Sequence, residues 1–278
     1  MTIKHMLFAG FAAGLVALAP LGAEAGESLD RVMKTKTLTM SSDASYPPQS
    51  FLNDKNEMDG FDVEVGKEIA KRLGAELKLI TPAWEVITAG KWQGRWDISV
   101  GSMTPTKERA QVLDFPAVYY YTPAAFAVHK DSKAGSLDDL NGKTIGVCGG
   151  CTYESYLNKN LVIDAEGAPA FDYKVTAGTI RTYETDTNVF DDLKIGDGKR
   201  LDAVLSAQPT IQEAIKSGLP MKLVGGPVFY EPLAVAVDKG DPEFSAKIAE
   251  IVAAMHADGT LAKLSEKWYG VDYSSVKK

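Results

Sequence analysis

The chain has 278 residues, 45% hydrophobic and 24% charged, with 37 Asp and Glu against 30 Lys and Arg for a formal charge of -7. That composition is ordinary for a globular chain with enough apolar material for a sizeable core. An acidic balance without a basic stripe excludes nucleic acid and anionic membrane surfaces as expected partners.

The chain opens with Met1 to His5, an apolar run from Met6 to Leu21, and Ala23-Glu24-Ala25. A basic start, a short apolar segment and an Ala-x-Ala site predict a signal peptide over 1–25, cleaved after Ala25, and a location in the periplasm. No cysteine follows the site to accept a lipid. The leader removes one Lys and one Glu, so the charge persists. No later stretch approaches the roughly 18 consecutive apolar residues of a membrane span.

Ser28 to Lys34 reads as a short helix and Leu38 to Ser41 as the first strand. Asp43-Ala44-Ser45-Tyr46-Pro47-Pro48 is a polar loop stiffened by its prolines, at the carboxyl end of a strand, where open α/β sheets place ligands. Asp62 is expected to cap a helix with Val65, Ile69 and Leu73 on one face and Gly74 as its stop. Glu76 to Ile80 is the next strand, and Trp84 opens a further helix as a possible aromatic wall. Trp92 and Trp96 read as core.

Asp97 to Val100 leads into Gly101-Ser102-Met103-Thr104-Pro105-Thr106-Lys107-Glu108-Arg109. Ser102 and Thr104 alternate along an extended segment, so both hydroxyls are expected to point one way. Arg109 returns over them once Thr106 starts a helical turn. A planar guanidinium donates two parallel hydrogen bonds to a carboxylate, so the segment reads as an anion clamp.

Further on, Tyr119 to Pro123 precedes a strand from Ala124 to His129, and a matching strand runs from Glu231 to Val237. These two segments are expected to cross between two lobes. Residues 26–120 then form the first part of lobe one, 121–231 lobe two with its hinge strands, and 232–278 the rest of lobe one. Lobe two begins with a capped helix and turn over Ser136 to Lys143 and a strand from Thr144 to Val147. Cys148-Gly149-Gly150-Cys151-Thr152-Tyr153-Glu154 then turns into a helix whose amino end exposes the amides of Cys151 and Thr152 to an anion.

Cys148 and Cys151 are open to three readings: a disulfide, two free thiols, or a redox pair. A disulfide would pre-form the anion-binding turn. With His129 and His256 isolated, the pair falls short of the four ligands of a zinc site, and no cofactor motif is present. Residues 160–179 read as an insertion. Strands at Ile180 to Tyr183, Ala203 to Ser206 and Met221 to Val224 alternate with helices at Asp186 to Ile195 and Thr210 to Ser217. Amphipathic helices follow through Met255 and Trp268. The alternation predicts an α/β chain with a mainly parallel, helix-covered sheet.

Taken in this order, the motifs resemble those of the periplasmic polar amino-acid-binding proteins, the solute receptors of ABC importers, along the whole mature chain. The resemblance implies the two-lobed α/β periplasmic-binding-protein fold, with two strand crossovers as a hinge that closes on ligand. It implies an amino acid or related carboxylate as ligand, an ABC permease as partner, no cofactor and no catalysis. Asp43, with Tyr46 as ligand cover, inherits the Asp-x-x-Tyr-x-Pro loop, and Trp84 the opposite wall. Ser102, Thr104 and Arg109 hold the carboxylate, met from lobe two by Cys151 and Thr152.

One position departs from the pattern. The family's aspartate for the ligand ammonium falls on Ala207, and a buried ammonium without an acid is costly. Asp43, Glu184 and Asp186 are the candidate substitutes; Ser206 and Gln208 offer neutral acceptors. Cyclohexadienyl dehydratase resembles the same fold, takes dicarboxylates and lacks that aspartate, which makes it the alternative.

Overall fold

The computed structural model describes residues 27–275. The expected signal peptide and its cleavage after Ala25 lie outside the described residues.

Helix α1 (Glu27–Thr35) leads into β1 (Thr37–Ser41), and a small antiparallel sheet follows from β2 (Ser45–Tyr46), β3 (Ser50–Leu52) and β4 (Met58–Asp59). Helix α2 (Phe61–Arg72) buries Val65 and Ile69, and Leu73 closes its inner face. Gly60, not Asp62, is its N-cap: at φ 122°, a Cβ on Gly60 would lie 2.3 Å from the Gln49 carbonyl oxygen. Glycine is therefore required there. Asp62 falls inside the first turn and is fully buried.

Strand β5 (Glu76–Ile80), helix α3 (Trp84–Thr88) and strand β6 (Ile98–Met103) complete this region. Trp92 and Trp96 pack in the core beneath them, ring centres 5.2 Å apart. Strand β7 (Leu113–His129) then runs for 17 residues. The helix expected over Ser136 to Lys143 is only a 3-10 turn, Asp138–Leu140. Asp139 draws the Gly135 and Ser136 amides and the Ser136 hydroxyl onto one carboxylate oxygen, and Gly142 at φ 73° ends the turn.

Strand β8 (Thr144–Cys148), helix α4 (Thr152–Leu157), strand β9 (Thr179–Tyr183), helix α5 (Asp186–Leu193), strand β10 (Ala203–Ala207) and helix α6 (Gln208–Lys216) follow. The strand expected at Met221 to Val224 continues through the second expected crossing as β11 (Met221–Asp238). Helices α7 (Pro242–Ala257) and α8 (Thr260–Tyr269) close the described chain.

The large sheet has the order β5-β1-β6-β11-β7-β10-β8-β9. Its outer pairs on both sides are parallel, whereas β7 and β11 run antiparallel to each other through the middle. The sheet is therefore more mixed than the sequence predicts. Along β7 and β11 the partners change sides: Leu113 to Tyr121 pairs with the second half of β11 beside β6, and Ala124 to His129 with its first half beside β10. Separate apolar cores follow. One gathers Phe61, Ile69, Tyr120 and Phe244; another gathers Phe126, Val147, Tyr156 and Phe229. Glu231, paired with Thr122, sits where the two strands pass from one core to the other.

Candidate functional site

A cavity opens at this crossing. The loop after β1 brings Asp43 and Tyr46 to it, the start of α3 brings Trp84, and the end of β6 brings Ser102 and Thr104. From the other side come Cys148, Cys151, Thr152 and Tyr153 around the start of α4, and Glu184 to Asp186 at the start of α5.

Arg109 is only 8% exposed. The Thr106 hydroxyl accepts its backbone N-H at 3.2 Å and so starts the turn that aims it. Its Nη1 donates to the Thr104 carbonyl at 3.0 Å and its Nη2 to the Gly150 carbonyl at 2.9 Å, which ties the two sides of the cavity together. The guanidinium carbon lies 5.2 Å from the centre of the Trp84 ring, a cation-π distance. Burial lowers its pKa to about 10, so it stays cationic at neutral pH. A guanidinium has five N-H donors, and three of Arg109's remain for a ligand.

Glu231, read in the sequence only as the entry to the second crossing and not as a site residue, holds the centre. It is 2% exposed, and its carboxylate accepts from the Thr104 hydroxyl at 2.9 Å, from the Thr152 hydroxyl, and from the Tyr153 hydroxyl at 2.9 Å. Burial raises its pKa, opposed by these three donors and by Arg109. The hydroxyls read as a clamp for a ligand carboxylate thus grip a carboxylate of the chain itself. The signal was a lone acid at the head of the apolar run Leu233 to Val237.

Ser102 lines the cavity, but its hydroxyl turns into the core. It donates to Asp62 Oδ2 at 2.7 Å and lies 2.5 Å from the Tyr120 hydroxyl. The cause is backbone: Ser102 has φ 54°, which breaks the alternation that would have aligned it with Thr104. Asp62 also accepts from Tyr119, and burial pushes it up to about 7.

Tyr46 meets Tyr153 across the cavity, oxygen to oxygen 3.1 Å. Asp43 accepts the Ser45 amide at 2.8 Å, and burial raises its pKa. Asp186 is 5% exposed, and burial pushes it up to about 7, opposed by the Ser206 hydroxyl and reinforced by Asp43 and Glu231. Ser206 and Gln208, read in the sequence as ligand contacts, are not among the residues that line the cavity, and Ser206 and Ala207 are fully buried. Cys148 and Cys151 are joined as a disulfide, their Cα atoms 5.6 Å apart. Between them Gly150 takes φ 68° and presents its carbonyl to Arg109.

Two lobes that share a pair of crossing strands, with an arginine-bearing cavity at the crossing, define an extracellular solute receptor. The chain belongs to the bacterial extracellular solute-binding proteins, family 3, whose model matches residues 38–271. The L-cystine-binding protein TcyJ of Escherichia coli (strain K12) is 31% identical over 273 residues, covering 97% of this chain and 96% of that protein. The L-arginine-binding protein of Pseudomonas aeruginosa is 28% identical over 258 residues, covering 88% and 92%. Among solved structures, an ancestral arginine-binding protein bound to arginine superposes with a TM-score of 0.72 at 31% identity, covering 84% of this chain and 99% of that one. The ancestral amino acid-binding protein AncCDT-1, a precursor of cyclohexadienyl dehydratase, gives 0.74 at 31% identity, covering 87% and 99%.

Proposed function

We propose that this protein is the periplasmic receptor of an ABC importer. It traps an amino acid or amino-acid derivative between its lobes, hands it to the permease and catalyses no reaction. The observation that carries the reading is Arg109, a buried guanidinium held by carbonyls from both sides of the cavity, with three N-H groups left to donate. Relatives named for cystine and arginine support it.

The ligand carboxylate docks on Arg109 and competes with Glu231 for the Thr104 and Thr152 hydroxyls, while Trp84 and Tyr46 cover the apolar stem. Lobe one is residues 26–120 with 232–278, lobe two 121–231, and closure bends the two crossing strands near Glu231. Charge-assisted hydrogen bonds contribute about 1.5 to 3 kcal/mol each. Two or three of them with an aromatic contact come within reach of the roughly -8 kcal/mol of micromolar binding.

A thermal-shift screen of L-amino acids, opines and small organic acids on the mature protein tests this. A ligand at a hundred times its Kd stabilises the folded state by about 2.7 kcal/mol, so a cognate amino acid raises the melting temperature by several degrees. No rise with any amino acid or derivative overturns the proposal.

Glu231 gives one specific reason for a second reading. A buried carboxylic acid with a raised pKa at the centre of a carboxylate-binding cavity is equipped for general acid chemistry, as a cyclohexadienyl dehydratase-like enzyme requires. Prephenate turnover that disappears in Glu231→Gln would move the protein to that class; the expected result is no turnover.

A further inference from the structure

A hydroxyl has one proton to donate, and the three hydroxyls at the centre of the cavity have already committed theirs. Thr104 and Thr152 donate to Glu231 Oε1, and Tyr153 donates to Oε2. Tyr46 lies 3.1 Å from the Tyr153 oxygen, so its own proton is drawn onto Tyr153 in turn. A ligand carboxylate that reaches Arg109 therefore meets hydroxyl lone pairs and a second carboxylate.

Glu231 has no room to step aside. It is 2% exposed, its backbone pairs with Thr122 in the middle of the eight-stranded sheet, and its side chain is held from both sides of the cavity. The surroundings do not offset a second negative charge either. Arg109 is the one cation among the lining residues, against Asp43, Glu184, Asp186 and Glu231 itself. Asp186 at the start of α5, Tyr46 in β2 and Tyr153 in α4 are the other titratable groups whose charge Glu231 opposes. When two carboxylates share a site, one of them takes a proton. An α-carboxyl is the stronger acid, with an ordinary pKa of about 3.5 against about 4.3 for glutamic acid, so the proton goes to the glutamate. Burial already raises the Glu231 pKa against its three donors and Arg109.

We propose that Glu231 takes up a proton as the ligand carboxylate docks on Arg109 and donates it in a hydrogen bond to that carboxylate, so that solute capture by this receptor consumes one proton. A neutral Glu231 needs fewer donors, which frees the Thr104 and Thr152 hydroxyls to turn toward the ligand. Glu231 is thereby a specificity-determining residue, because accepting the carboxylate and taking up the proton are one event. The bound state holds more protons than the free one, so affinity falls as pH rises, about tenfold per unit where the uptake is a full proton.

The inference rests on the proposed function, and the experiment separates the two. The amino acid with the largest thermal shift among the proteinogenic L-amino acids and L-cystine is titrated by calorimetry into the mature protein at about pH 6.5. Buffers of different ionisation enthalpy, Pipes, Hepes and Tris, give the protons taken up per ligand bound. The same titration is run with its α-carboxamide counterpart, L-argininamide where L-arginine wins. Wild type is expected to take up about half to one proton with the amino acid and almost none with the carboxamide, and Glu231→Gln to lose the uptake. Binding of the amino acid by wild type without proton uptake, or an uptake that persists in Glu231→Gln, overturns this inference and leaves the receptor function standing. A panel without any shift overturns both. Should Glu231→Gln fail to fold, the two wild-type titrations decide, and an equal uptake with amino acid and carboxamide sinks the proposal.

Discussion

Asp62 and Asp186 are buried carboxyl groups that burial pushes up to about 7, one under the Ser102 turn and one in the cavity wall. In an unfolded chain both would titrate near 4. Between those values the folded protein holds protons that the unfolded chain releases, so stability falls as pH rises from about 4 to about 7. We expect the melting temperature without added amino acid to be higher at about pH 5.5 than at about pH 8, and Asp186→Asn to reduce that slope. Melting curves at the two pH values check the sign; equal melting temperatures would contradict it.

At the scale of elements, residues 160–179 carry no periodic apolar pattern, and the sequence offered no account of them. The structure shows a strap. Val162 accepts the Lys107 amide at 3.0 Å, Asp164 donates its amide to the Pro105 carbonyl at 2.9 Å, and Thr106 bridges to Ile163. Phe171 and Tyr173 anchor its far side on Tyr156 and Phe229. The strap therefore joins the second core to the turn that aims Arg109. Asp164→Pro removes the donor to Pro105 and spares the aromatic anchor. It is expected to speed amino-acid release severalfold in stopped-flow fluorescence while moving the melting temperature by no more than a few degrees. Slower or unchanged release would remove the strap from the closure contacts. The disulfide acts on the same turn from inside, and so short a ring removes little unfolded-state entropy, so its effect is on shape more than on stability.

At the scale of the whole molecule, what was legible in the sequence was local and what was not was long-range. Arg109, Thr104, Trp84, Tyr46 and Thr152 reach the cavity because each sits at a strand end or helix start whose chemistry is readable within a few residues. Glu231 was hidden because its role depends on hydroxyls 79 and 127 positions away. Ser102 was misjudged because a positive φ cannot be read from an alternating pattern. The lengths of β7 and β11 were understated because Pro123 and Pro232 interrupt their runs, although both fit a crossing where the strands change partners. The cavity thus depends on contacts between lobes: Arg109 to Gly150, Tyr46 to Tyr153, and the Thr187 hydroxyl to the Ser45 carbonyl at 3.2 Å. Arg109 alone among these carries charge, and its Nη1 and Nη2 bonds go to opposite sides. Arg109→Ala deletes the ligand anchor and the charged link at once. In solution scattering at saturating amino acid, the wild-type mature chain is expected near the roughly 18 Å radius of gyration of a compact domain of its length. Arg109→Ala is expected to stay measurably larger under the same conditions, with its melting temperature no longer responsive to that amino acid. A variant that remains as compact as wild type would place the closing force in the tyrosine pair and the strap rather than in the guanidinium.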